Sequence, residues 1–178
     1  RPEGCRDQAN MQPWRMVIVC LFYCSIKTGV SPRQTQGLFP TASRLKRGWV
    51  NTMNPMFHKS FDDVHLLFEI LLAGVQFEES GEFSVQDAEL ASLRKARNLK
   101  VICEDIIPRK LSDIFRLIYG LSSQVGPLHQ DDFERTMLTL IYTAKQMVNS
   151  TNEHQGDMWQ GSFVSLYKAI KKDLTGTN

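Results

Sequence analysis

The residues most suited to directing chemistry stand in "RLKRGWV": Arg44, Lys46 and Arg47, followed by Gly48. Arg-x-Lys-Arg ahead of a small residue is what furin-type proprotein convertases cut, because their acidic pockets take several cations from one extended, accessible segment. The stretch upstream, "SPRQTQGLFPTAS", is rich in Pro, Gly, Ser and Thr and has neither helical nor strand periodicity, so it reads as an exposed linker. The competing reading is a solvated basic turn that is never cut.

Chemistry performed by the chain itself finds weaker candidates. The sequence has no Gly-x-Ser-x-Gly elbow, phosphate-binding Gly-rich loop, Cys-x-x-Cys or His-Glu-x-x-His. His58, Asp62 and His65 stand close in sequence, but Ser60 reads as a helix cap between them, which takes His58 out of the regular spacing of a metal-binding face. His58, His65, His129 and His154 are all expected at the surface. Asp62/Asp63 and Asp131/Asp132 sit where a helix start favours negative charge. "GEFSVQDAEL" and "GPLHQDDFER" share the spacing of the back half of a calcium loop. Their front positions would be Gln76, Glu78 and Ser80, or Leu121, Ser123 and Val125, too poor in oxygen to hold the ion. No catalytic residue, metal or cofactor is expected.

Two residues remain with modification chemistry. Asn149-Ser150-Thr151 is a glycosylation sequon in the polar "NSTNEHQGD". Cys103 is the one cysteine left once the N-terminal segments carrying Cys5, Cys20 and Cys24 are removed. A lone thiol in a secreted chain is either buried or bridged to another molecule, so burial and a Cys103-linked homodimer are the two alternatives, with burial favoured by its apolar neighbours.

Both features presuppose secretion, and the N-terminal third supplies the argument. From Met11, "MQPWRMVIVCLFYCSIKTG" runs from a short start with Arg15 through an apolar stretch, Met16 to Ile26, to small and polar residues, the order of a signal peptide. The apolar stretch is far short of the roughly 20 residues a spanning helix needs. The expected organisation is read-through sequence at 1–10, signal peptide at 11–29, pro-segment at 30–47 and a helical domain at 48–178. Residues 1–47 hold eight of the 21 Lys and Arg but two of the 19 Asp and Glu. The remainder therefore carries 13 basic and 17 acidic side chains, a net charge of −4. An acidic domain without a basic stripe is a poor partner for nucleic acid or anionic lipid.

The elements that must position all of this read as helices. Ser60 with Asp63 is a capping box ahead of Val64, Leu67, Phe68, Leu71, Leu72 and Val75 at helical spacing. Ser84 with Asp87 repeats the pattern, with Phe83 placed to staple onto Ala88. That second helix is expected to bend near Asn98, where its stripe shifts to Leu99, Ile102, Cys103 and Ile106, and to stop at Pro108. A third covers Leu111 to Leu121. A fourth opens at Asp131 and Asp132 and carries Phe133, Met137, Leu140, Ile141, Ala144 and Val148. A fifth opens at Asp157. No sustained period-two alternation appears, so the fold expected is all-α, a compact bundle of about five helices after the signal peptide and a disordered pro-segment.

"LLFEILLAGVQF", "DAELASLRKA", "VICEDIIP" and "DDFERTMLTLIYTAK", with "RLKR" upstream, closely resemble the vertebrate family with sequence similarity one hundred eighty. The resemblance runs from about the signal peptide to Leu174. It implies a secreted helical protein of unassigned function with no active site to carry over. Asn149 and the residues before Met11 depart from the family's pattern and are not read as family features. The expected role is therefore protein binding, as an extracellular ligand or matrix-associated factor with an unknown receptor or partner and no membrane span in the mature form. An enzyme of unfamiliar design and a carrier of a released N-terminal peptide, about Gly29 to Arg47, are the alternatives.

Overall fold

The computed structural model describes residues 38–40, 55–78 and 80–176. Helix α1, Phe61–Ala73, begins as the capping pattern requires: the Ser60 hydroxyl accepts the Asp63 N–H at 3.3 Å. The reciprocal bond reaches one residue further back, because the Asp63 carboxylate accepts from Lys59 N–H at 2.9 Å. Leu67 and Ile70 are buried, and the helix stops at Gly74. Gly74 has φ +113°, and a Cβ there would lie 2.4 Å from the Gln86 side-chain oxygen, so glycine alone suits the position.

The chain then departs from the all-helical expectation. Val75–Phe77 (β1) and Phe83–Val85 (β2) pair antiparallel, with Val75 opposite Val85 and Phe77 opposite Phe83. Val75 and Phe83 are buried, whereas Gln76 and Ser84 between the apolar positions are exposed. Strands of three residues are too short to register as an alternating pattern. Ser84 is therefore a strand residue and not a helix cap, and Phe83 enters the core from the strand. Asp87 is the true cap and accepts the Leu90 N–H at 2.9 Å.

Helices α2, Ala88–Ser92, and α3, Arg94–Val101, are separated at Leu93, whose backbone is extended at φ −61°, ψ 138°. Asn98 lies inside α3, so the break comes earlier than the shift in the apolar stripe suggests. The shift itself is met by a π-helical turn, Ile102–Ile106, closed by the Ile107 N–H donating to the Ile102 carbonyl at 3.0 Å. Its wider circumference buries Ile102, Cys103 and Ile106 together. Pro108 forces Ile107 into the extended region, φ −68°, ψ 141°, and ends the turn.

Helices α4, Leu111–Ser123, α5, Gln130–Asn149, and α6, Glu153–Thr175, complete the described fold. Every residue from Asp132 to Ala144 of α5 is buried, so the other elements assemble around it. Threonines inside this helix satisfy themselves: Thr136 and Thr139 donate to the carbonyls of Asp132 and Arg135 at 2.7 and 2.8 Å. Val148, assigned to the apolar stripe from the sequence, lies past the buried stretch and is exposed. Helix α6 starts at Glu153, with Asn152 accepting the His154 N–H at 3.0 Å, and not at Asp157. Phe77 meets the Tyr142 ring edge-on at 5.1 Å, and Tyr142 meets Trp159 at 5.9 Å, which ties the hairpin, α5 and α6 together. Apart from the hairpin, the described residues form an all-α compact bundle of six helices.

Candidate functional site

Three stretches of chain bound a groove of about 950 Å³. The exit of the π-turn, Ile106 to Lys110, forms one wall. Asp113, Leu117 and Gly120 of α4 form the second, and Leu38, Phe39 and Pro40 the third.

The first wall is held by Arg109. Its Nη2 and Nε donate to the Cys103 carbonyl at 2.7 and 3.2 Å, and its Nη1 donates to the Gly81 carbonyl at the hairpin tip. Gly81 has φ +92°, and a Cβ would lie 2.5 Å from Arg109 Nη1, so this approach also needs glycine. Glu104 adds a second stitch by accepting the Phe83 N–H at 2.8 Å. Hairpin and π-turn are thus one unit behind the groove.

The third wall comes from the stretch read as exposed linker. Phe39 is only 7% exposed and belongs to the core, and Leu38 packs against it. The Arg135 guanidinium stands 5.8 Å from the centroid of the Phe39 ring. Arg135 is itself buried in α5, paired with Asp131 at 3.1 Å and Asp132 at 3.8 Å. Burial raises the Asp131 carboxyl, but its hydrogen bond to His129 and the Arg135 charge outweigh that and hold it below the usual value. Burial, with the Asp131 charge beside it, pushes Asp132 up. Two polar groups here have no hydrogen-bond partner among the described residues: Arg135 Nε and the side-chain amide of Gln124, which lines the groove.

Arg44, Lys46 and Arg47, together with the stretches expected from the sequence to be read-through (1–10) and a signal peptide (11–29), lie outside the described residues. Asn149 is the exposed last residue of α5, at the three-residue connection to α6. Cys103 is fully buried in the π-turn and makes no disulfide among the described residues. Burial drives its thiol far above the ordinary value; Glu134 and Glu104 act in the same direction and Arg109 opposes them. None of these residues lines the groove.

His65, His129 and His154 are exposed, as expected of surface histidines, but His58 is not. Its ring nitrogen Nδ1 pairs with Glu134 of α5, and its N–H donates to the same carboxylate at 2.9 Å. Glu134 also accepts the Phe57 N–H at 2.8 Å. This buried carboxylate was missed by sequence reasoning, although an acid between Phe133 and Met137 on an apolar helix was the signal that could have found it. Among the described residues no cluster of three or more His, Cys, Asp or Glu could hold a metal ion, and no helix is long and apolar enough to cross a membrane.

The chain is similar to the human Protein FAM180B, 26% identical over 111 residues, a match covering 61% of this chain and 61% of the human protein. The match thus spans less than two thirds of that relative. No solved structure matches. The sequence profile of the FAM180 family matches residues 38–174, which takes in Leu38 to Pro40 with the helical body. With most of its length matched, this chain belongs to the FAM180 family.

Proposed function

We propose that this is a secreted protein, trimmed after Arg47, that acts by binding another protein as an extracellular ligand or matrix-associated factor. The observation that carries the binding reading is the groove: apolar Ile106, Ile107 and Leu117 on two of its walls, with Arg109, Lys110, Arg116 and the acids Asp105 and Asp113 among its lining residues. Apolar walls with a few convergent polar groups suit an extended peptide segment of a partner. Arg109 is engaged by main-chain carbonyls and serves the wall's shape. Secretion is supported by the Met16 to Ile26 stretch and trimming by Arg44, Lys46 and Arg47.

The test has two parts. Expressing cells should release a chain whose first residue is Gly48, and Arg47→Ala should abolish that terminus; a secreted chain starting near Ile26 to Ser31 in both cases rules out the trimming. Labelled secreted protein should bind cell surfaces or matrix saturably, and the charge reversals Lys110→Glu with Arg116→Glu should weaken binding at least tenfold. Binding unaffected by those changes rules out the groove.

A further inference from the structure

Nine of the 13 residues of α1 are apolar, the composition of a helix enclosed on every side. Its buried residues, Asp63, Leu67 and Ile70, nonetheless share one side. About half a turn away, Phe61, His65, Phe68 and Leu72 recur at spacings of four, three and four residues, which sets them in one stripe within about 60° of arc. Phe61 and Leu72 are 52% and 51% exposed, His65 is exposed and Phe68 is half-buried. The Phe61 and His65 rings stand 4.6 Å apart and broaden one end of the stripe. A single exposed Phe or Leu is ordinary on a protein surface, but a stripe three turns long, about 17 Å, is a contact face. Asp62 and Glu69, both exposed, stand along one flank of it and pair with no cation among the described residues. The helix itself carries no Lys or Arg.

We propose that this outer face of α1 is the docking site for an amphipathic helix of a partner protein, whose aliphatic seam packs on Phe61, His65, Phe68 and Leu72 and whose lysines or arginines meet Asp62 and Glu69. Spacings of four, three and four residues are those of the seam along which two helices pack knobs into holes. Apart from the His65 ring the stripe offers no donor or acceptor, so an occupant laid along it must satisfy its own main chain. A helix does so and an extended segment does not. The acidic flank selects the charge of the occupant. Lysine and arginine cover the edge of a seam with their aliphatic stems and bring their charged ends to the carboxylates. A second copy of α1 has no cation to offer that flank, and an anionic membrane surface is repelled by it. The seam supplies most of the affinity, while the two acids fix orientation and choice of partner. No residue of α1 lines the groove, so this surface stands or falls apart from it.

The experiment uses the full chain and a fluorescent synthetic helix with leucines at the seam positions of a heptad and lysines on both flanks, together with a twin in which glutamates replace the lysines. The lysine helix should bind saturably in an anisotropy titration, at least fivefold more tightly than the glutamate twin. Phe61→Ala with Leu72→Ala, both at exposed positions, should weaken that binding at least tenfold while keeping the helical circular dichroism. Asp62→Lys with Glu69→Lys should reverse the preference between the two peptides, a result that neither lost structure nor indiscriminate adhesion produces. If the alanine pair loses the helical spectrum, the reversal decides alone. Failure of the lysine helix to bind, equal binding of the two peptides, or a preference unchanged by the reversal overturns the proposal. Self-association in sedimentation equilibrium that Leu72→Ala abolishes would assign the face to a second copy, and Leu72-dependent binding to phosphatidylserine vesicles would assign it to a membrane; either overturns the proposal as well.

Discussion

Glu134, 1% exposed in the middle of α5, accepts the backbone N–H of Phe57 at 2.8 Å across 77 residues of sequence. The same carboxylate takes the His58 N–H at 2.9 Å and the His58 ring. One buried acid thereby ties the entry of the helical body to its central helix, and the pairing supplies the hydrogen bonds that a buried carboxylate needs.

Removing that acid should therefore cost more than an ordinary side-chain truncation. Glu134→Ala leaves two backbone N–H groups without an acceptor, and the expected loss is about 3–6 kcal/mol, since hydrogen bonds to charged groups contribute roughly 1.5–3 kcal/mol each. Phe57→Ala, which empties a fully buried ring site, should cost about 3–5 kcal/mol. Urea unfolding followed by circular dichroism measures both. A loss under about 0.5 kcal/mol for Glu134→Ala would show that the staple is dispensable.

Asp173 gives the pH dependence a sign. Its carboxylate accepts the Leu128 N–H at 2.6 Å, but burial outweighs that bond and raises the group above its ordinary 3.8. The folded state therefore holds this proton more tightly than the unfolded chain. That contribution is complete below 3.8 and is lost as pH rises through the raised folded value. Asp173→Asn keeps an acceptor for Leu128 and removes the titration. The mutant should gain on the wild type as pH goes from about 4 to 7, being equal or more stable at neutrality. A stability difference that does not vary with pH would disprove the linkage.

The Cys103 thiol should be silent in the native protein. Its zero exposure and upward-shifted thiol predict no reaction with maleimide until unfolding, and a monomer on non-reducing electrophoresis. Cys103→Ser should destabilise by about 1–3 kcal/mol through burial of a hydroxyl. A covalent dimer abolished by that substitution would place the π-turn at a subunit interface instead.

Asn149 should carry a glycan in protein recovered from the secretory pathway, since it is exposed at the end of α5. Glycosidase treatment should increase electrophoretic mobility, and Asn149→Gln should remove the difference. Identical mobility with and without the enzyme would mean the sequon is unused.

Helix interiors were legible from the sequence where one face is apolar and a cap marks the start, as at Ser60 for α1. They were less legible where tertiary partners decide. The strand pair was hidden because Val75 also completes the α1 stripe and each strand has three residues. The π-turn shifts the burial pattern at Ile102 by adding backbone circumference, which a fixed helical period cannot express. Phe39 looked like part of a linker because a single apolar residue among Pro, Gly and Thr has no period to reveal it. Its partner, Arg135, lies far along the chain. Of the groove, only Pro108 and the apolar residues of α4 carried any local sign.

The enclosure of α5 also bears on how the chain is made. Phe57 and α1 leave the ribosome well before Glu134 exists, and at about 5–20 residues per second the wait across 77 residues is roughly 4–15 s. During that interval Leu67 and Ile70, both fully buried in the finished protein, have no central helix to pack on. Nascent chains of this protein thus spend seconds with adhesive surface uncovered, and their yield depends on how well the early helices are shielded until residues 130–149 emerge.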